Sequence, residues 1–269
     1  MKAIAKTEAA SGVALIDLPE PSPGPDDVIF TPVATAICGS DLAIHRWSPW
    51  TRSLEGQLPF VLGHEVCGRV SAVGSNVTRV KVGERIAVET HIPCGHCWYC
   101  CNHRAHVCEN MVLYGHEING CFSETAVVHQ NAVWRIESDI PTELATLMEP
   151  LGVALRGAEA VDLDGQPVAI LGAGPIGLMV TAFATKMNPS SLIVIEPSVP
   201  RREIALEVGA SAVLDPAAPG LDVTIRQMTG GTGVEVVIDC SGNAEAIVDS
   251  IRYTRVGGHL VLIGNPDRD

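Results

Sequence analysis

The sequence predicts an α/β protein of two domains, an antiparallel β-barrel over residues 1–153 and a doubly wound parallel sheet over residues 154–269. Three observations predict it. Short β-rich runs broken by Pro, Gly and Asn turns fill the first half. The hydrophobic period becomes helical at TELATLMEPLGVALRGAEAV, and beyond it apolar strand runs alternate with helical segments. A chain of 269 residues is long enough for two cores.

In the first half, PSPGPDDVIFTPVATAI reads as a Pro/Gly turn entering a strand. VCGRVSAVGSNVTRVKVGERIAVE reads as strands joined by Gly-Ser-Asn and Val-Gly-Glu turns, and CFSETAVVHQNAVWRI as a further pair. In the second half, VAIL precedes a helix over Ile176 to Met187, and LIVI precedes a helix that starts near Pro200. AVL follows, VEVVID precedes NAEAIVDSIRYT, and HLVLIG comes last. These strands are continuous apolar runs, as expected where helices cover both faces of a parallel sheet.

Composition narrows the function. Hydrophobic residues make up 46% and charged residues 18%, a globular rather than disordered profile. The formal charge of −13 repels a phosphate backbone or an anionic bilayer, so no nucleic acid and no membrane partner is expected. The uncharged stretch from Gly165 to Thr185 is interrupted by Gly172, Gly174, Pro175 and Gly177, which argues against a membrane span. MKAIAKTEAASG has no signal-peptide pattern, and a cytoplasmic location is the expectation. Nine cysteines, an odd number, then point to thiolates for metal or catalysis rather than disulfides.

Residues 94–108, CGHCWYCCNHRAHVC, hold five cysteines and three histidines. Cys94, Cys97, Cys100 and Cys108 form C-x2-C-x2-C-x7-C, a spacing that wraps one ion in four sulfurs and suits structural Zn2+. An iron–sulfur run would place three residues in the last gap and Pro after it, whereas seven residues and Glu109 stand here. The bland alternative is four uncoordinated thiols. Cys101 could exchange with Cys100, and His96, His103 and His106 read as solvated loop residues.

A closed tetrathiolate leaves no position for substrate, so catalysis needs a second, open site. Its candidates are Cys38 in AICGSDL, His64 and Glu65 in LGHEVCG, and Glu149 in LMEPLGV. Taken singly, each also has a structural reading: a small buried hydrophobe, a satisfied core histidine, a helix surface charge. Gly68 stands where H-E-x-x-H needs its second His, which disfavours a metalloprotease. In VAILGAGPIG, Gly172, Gly174 and Gly177 match G-x-G-x-x-G between a strand and a helix, with Pro175 and Ile176 inside the turn. Glu196 ends the next strand, where a carboxylate accepts ribose hydroxyls and repels a 2′-phosphate, so NAD is expected over NADP. Arg201 and Arg202 keep the phosphate alternative open.

These motifs in this order resemble the zinc-dependent medium-chain dehydrogenase/reductase family, along nearly the whole chain. The narrower likeness, carried by CGSD, WSPW, GHE, ETHIPCGHC, EPLG, GAGPIG and EPSVPRRE, is to members that oxidise L-threonine. The resemblance implies a GroES-like catalytic domain, a Rossmann domain, one catalytic and one structural zinc, and hydride transfer from a secondary alcohol to NAD. Polyols or butanediol are the alternative substrates. By the same resemblance Cys38, His64 and Glu65 or Glu149 hold the catalytic zinc, Ser40 bonds the substrate hydroxyl, Asp41 orients His64, and His91 lies near the substrate. Trp47 and Trp50 wall the pocket or simply pack. Two departures stand out. Ala43 occupies the family's usual relay-histidine position, with His45 two residues on. The family also continues past LIGNPDRD with a final sheet strand used in homo-oligomers, so the sheet is expected to be incomplete here. That leads to the expectation of an exposed HLVLIG edge, self-association, and the alternative of a non-catalytic zinc- and nucleotide-binding protein.

Overall fold

The structure, a computed structural model, describes residues 1–265. Two compact units divide between Glu149 and Pro150, inside the helix α4 defined below.

The first unit is antiparallel. Strands β1 (Lys2–Lys6), β2 (Ala14–Asp17) and β4 (Phe60–Val61) form a small sheet of order β2-β1-β4. Strands β3 (Asp27–Ala36), β5 (Glu65–Val73), β6 (Arg85–Val88), β9 (Ala126–His129) and β10 (Val133–Arg135) form a larger one of order β10-β6-β5-β3-β9. Alternating residues of the larger sheet, among them Val28, Phe30, Val66, Val70, Ile86 and Val88, are buried in one core with Tyr114. Pro32, which cannot donate to a ladder, sits where the β3–β5 register shifts, the kind of irregularity that tolerates proline. The Ile4 N–H donates to the Phe122 carbonyl at 2.8 Å and stitches the small sheet to the segment leading into β9.

Two features of this unit place functional residues. The ladder pairs Ala36, the last residue of β3, with Glu65, the first of β5. Cys38 and His64 therefore leave adjacent strand ends, Cys38 as the N-cap of helix α1 (Gly39–Arg46). The short strands β7 (His91–Ile92) and β8 (Val112–Leu113) pair His91 with Leu113. They close the base of the cysteine-rich lobe, which contains the single helical turn α2 (Trp98–Cys101). Short helix α3 (Thr142–Ala145) precedes α4 (Met148–Ala158), whose first turn carries Glu149.

The second unit is one parallel sheet of order β13-β12-β11-β14-β15, built from β11 (Pro167–Leu171), β12 (Ser191–Ile195), β13 (Ala212–Leu214), β14 (Val234–Asp239) and β15 (Thr254–Leu262). Its helices are α5 (Pro175–Thr185), α6 (Val199–Val208), α7 (Leu221–Met228) and α8 (Ala244–Ser250). Val168 and Ile170 join a core with Ala154, Val180 and Ala205, while Ala169 and Leu171 join one with Ile225 and Tyr253. One strand thus feeds two cores, the physical reason its sequence lacks polar alternation. The helix predicted to reach Met187 ends at Thr185, and α7 is an element the sequence patterns left undescribed. Among the described residues no helix is long and apolar enough to cross a membrane.

Candidate functional site

The four cysteines of the lobe converge. Cys97 Sγ lies 3.5 Å from Cys100 Sγ and 3.8 Å from Cys108 Sγ, and Cys94 Sγ lies 4.0 Å from Cys100 Sγ. Backbone N–H groups point at the sulfurs: Cys94 and Asn110 donate to Cys108 Sγ, both at 3.3 Å, and Cys97 donates to Cys94 Sγ at 3.4 Å. The N–H groups of His96 and Cys97 draw the Cys94 thiol down to about 6, while burial and the neighbouring sulfurs push Cys100 up to about 12. Four sulfurs this close cannot all ionise without a cation among them, and a tetrahedral Zn2+ answers that need. All nine cysteines are free thiols. Cys101 is exposed and its thiol donates to the His96 carbonyl at 3.5 Å, outside the cluster, and His96, His103 and His106 are exposed.

A second convergence joins Cys38, His64 and Glu65, whose candidate ligand atoms all lie within 4.8 Å of one another. His64 and Glu65 are buried and Cys38 is half-buried. Burial pushes the Cys38 thiol up to about 11 and raises the Glu65 carboxyl, and it holds His64 neutral, down to about 4. Anionic sulfur and oxygen with neutral imidazole, each disfavoured as free charges here, form a donor set that a divalent zinc fits.

Asp41 differs from the expectation in detail. Its Oδ2 accepts the Cys38 N–H at 2.9 Å and its Oδ1 the Gly63 N–H at 3.3 Å, so it fixes the two backbone segments that present Cys38 and His64. Its distance to His64 Nδ1 is 3.9 Å, longer than a hydrogen bond. It positions the histidine through the chain rather than by direct contact.

Glu149 stands in an adjacent triad with Glu89 and His91, again within 4.8 Å, while Glu65 occupies the place beside Cys38 and His64. His91 Nδ1 lies 2.7 Å from Glu89 Oε1, and this bond raises the imidazole pKa. Burial, with the charges of Glu89 and Glu65 adding, pushes Glu149 up to about 7. Glu89 carries no motif of its own that would mark it in the sequence.

His116 carries no sequence signal either, since LYGHEING matches no ligand spacing. Its Nε2 lies 3.1 Å from Ser40 Oγ, and its ring meets His64 edge-on at 4.8 Å and Trp50 at 6.2 Å. Burial, then His64, lowers its pKa to about 4. The loop that carries it packs on Gly63: a Cβ on Gly115 or Gly120 would strike the Gly63 carbonyl, and the Cys121 N–H donates to that oxygen at 2.9 Å. Trp50 therefore touches the site. Trp47 packs with Ile44, Leu54 and Phe60, with Lys6 Nζ 5.1 Å from its ring. His45 is exposed and Ala43 is half-buried.

In the second unit a cavity of about 730 Å3 is lined by Gly172, Gly174, Pro175, Glu196, Arg201 and Cys240, among others. Gly172 turns at φ +89°, a Cβ on Gly177 would strike the Gly172 carbonyl, and a Cβ on Gly174 would meet open space. These are the three roles of a dinucleotide turn: sharp bend, close helix packing, and room for a pyrophosphate. Ile176 packs toward the core. Glu196 is buried, with Oε2 accepting the Ala173 N–H at 2.7 Å and Oε1 the Ser198 N–H at 2.9 Å. Arg202 is tied to the Glu196 and Pro197 carbonyls and to Asp215, whereas Arg201 borders the cavity.

Comparison with known proteins agrees with this layout. Residues 24–138 match the alcohol dehydrogenase GroES-like domain and residues 175–269 the zinc-binding dehydrogenase family. The chain is 40% identical over 264 residues to the L-threonine 3-dehydrogenase of Pyrococcus abyssi, covering 98% of this chain and 76% of that protein. Among solved structures, a zinc-binding dehydrogenase from Sinorhizobium meliloti 1021 bound to NADP is 32% identical with a TM-score of 0.85, covering 99% of this chain and 77% of that one. The 2R,3R-butanediol dehydrogenase of Bacillus subtilis is 28% identical with a TM-score of 0.85, covering 97% and 76%.

Proposed function

This chain belongs to the zinc-dependent medium-chain dehydrogenase/reductase family, and we propose that it oxidises the 3-hydroxyl of L-threonine to a ketone with NAD as hydride acceptor. The observation that carries the chemistry is the convergence of Cys38, His64 and Glu65 beside Ser40. The likeness to the Pyrococcus abyssi enzyme supports the substrate.

Cys38, His64 and Glu65 would hold the catalytic zinc, Glu149 standing in reserve, and Cys94, Cys97, Cys100 and Cys108 a structural one. When bound, zinc acidifies an alcohol and the nicotinamide ring accepts hydride. Ser40 would accept a hydrogen bond from the substrate hydroxyl and orient it for loss of its proton. Asp41 keeps Cys38 and His64 in register through the two N–H groups it accepts. His91, held by Glu89, would face the polar end of an amino-acid substrate. Gly172, Gly174 and Pro175, with the start of α5, would receive the pyrophosphate, and Glu196 and Arg201, which line the same cavity, would border the adenosine ribose. The carboxylate favours NAD.

The second reading keeps the same machinery and changes the substrate to a diol, on the likeness to the butanediol enzyme. Turnover of L-threonine, sorbitol and 2,3-butanediol by zinc-replete protein, each with NAD and with NADP, separates the readings by reduced-nicotinamide absorbance. A kcat/KM for L-threonine with NAD above the other combinations is the expected result. A preference for a diol supports the second reading, a preference for NADP overturns the NAD assignment, and no turnover of any alcohol refutes catalysis.

A further inference from the structure

We propose that His116 is a positioning residue for Ser40, aiming its hydroxyl so that the oxygen is free to accept a hydrogen bond from the substrate hydroxyl. The inference rests on the reading above, in which Ser40 touches the substrate hydroxyl.

Ser40 lies in the first turn of α1 (Gly39–Arg46), where a serine hydroxyl has no carbonyl four residues back in the helix to bind. Its near partner along the chain is the Cys38 sulfur, and His116 Nε2 at 3.1 Å offers the hydroxyl a second partner from across the fold. With the ring in the Nδ1–H tautomer, the Ser40 O–H donates to Nε2 and the Oγ lone pairs are left for the incoming alcohol. The opposite arrangement would take one of the two lone pairs and leave the hydroxyl proton without the imidazole as its acceptor.

The histidine is itself held on every side the structure describes. Its ring is edge-on to His64 at 4.8 Å and to Trp50 at 6.2 Å, and only 9% of the residue is exposed. Its loop is fixed by the Gly115 N–H to the Ile118 carbonyl at 3.1 Å and by the Leu113 N–H to Glu117 Oε2 at 2.9 Å. A surface histidine meeting a serine by chance would not be clamped in this way. The pairing spans 76 residues and joins α1 to the loop after β8. It also gives Ser40 an imidazole partner although Ala43 follows it in the helix and His45 is exposed.

A double-mutant cycle tests the inference. Wild type, Ser40→Ala, His116→Leu and the double variant are assayed with L-threonine and NAD at saturating zinc, alongside zinc content by elemental analysis and Tm. His116→Leu is expected to lower kcat about tenfold, as the loss of one aligned hydrogen bond in the transition state would, with KM changed less than about twofold. In the Ser40→Ala background the same substitution should cost nothing further, because its effect passes through the hydroxyl. His116→Gln, which keeps an acceptor, should recover most of the lost kcat, and zinc content should be unchanged in all variants. Losses that multiply, a Gln variant as impaired as Leu, or zinc lost from either, would overturn the inference. An impaired Ser40→Ala beside a fully active His116→Leu sinks it while leaving the proposed function intact. A fully active Ser40→Ala, or an inactive wild type, removes the reading on which it stands.

Discussion

Glu149 offers a perturbation whose size follows from its surroundings. The residue is 7% exposed, and burial beside Glu89 and Glu65 raises its carboxyl from 4.5 to about 7. Between those two pH values the folded, metal-free chain holds a proton that the unfolded chain has released, so the stability slope is negative. The stability that this group contributes is fully present below about pH 4.5 and is lost as pH rises to about 7, at up to about 1.4 kcal/mol per pH unit. The integrated loss from this one group is on the order of 3 kcal/mol, a large share of a typical folding free energy. Glu149→Gln copies the protonated form and removes the dependence. Urea unfolding of chelator-treated wild type and variant from pH 5 to 8, at constant ionic strength, should show the variant gaining on wild type by about 2–3 kcal/mol at the upper end. Superimposable pH profiles would mean that Glu149 is solvated and that the triad with Glu89 and His91 does not form in solution.

Zinc content should be two per chain, and Cys97→Ser should lower it to one and the Tm by about 10 °C, since a structural zinc contributes directly to folding; elemental analysis and a thermal melt read both. Glu196→Ala deprives the Ala173 and Ser198 N–H groups of their acceptor, which should cost ~2–4 kcal/mol in urea unfolding and weaken NAD binding at least about tenfold by fluorescence titration. Unchanged affinity would place the ribose elsewhere. The two glycines should behave oppositely. Gly177→Ala drives a Cβ into the Gly172 carbonyl and should destabilise by ~1–3 kcal/mol, whereas Gly174→Ala meets open space and should leave stability within ~0.5 kcal/mol while still lowering NAD affinity.

The motifs whose chemistry depends on local spacing were readable in advance. Cys94, Cys97, Cys100 and Cys108 are bound into one loop, so their separations along the chain nearly fix their separations in space. Gly172, Gly174 and Gly177 describe a single turn, and the structure gives each a separate steric reason. The parallel sheet was legible because a strand buried on both faces writes an apolar run, as in VAIL and LIVI. Helix α7 does place Leu221, Ile225 and Met228 on one face, but its eight residues are too short a run for the helical period to stand out from the sequence.

Residue types and their spacing already specify the chemistry present: soft sulfur, imidazole, carboxylate and a phosphate-binding turn, each encoded within a few neighbouring residues. Which of these groups become neighbours depends on contacts between distant segments. The pairing of Ala36 with Glu65 puts Glu65 rather than Glu149 next to Cys38 and His64. A loop seated on Gly63 brings His116 to Ser40 across 76 residues. Long-range register and loop packing arise from the summed burial of many side chains, and no short stretch of sequence carries that sum.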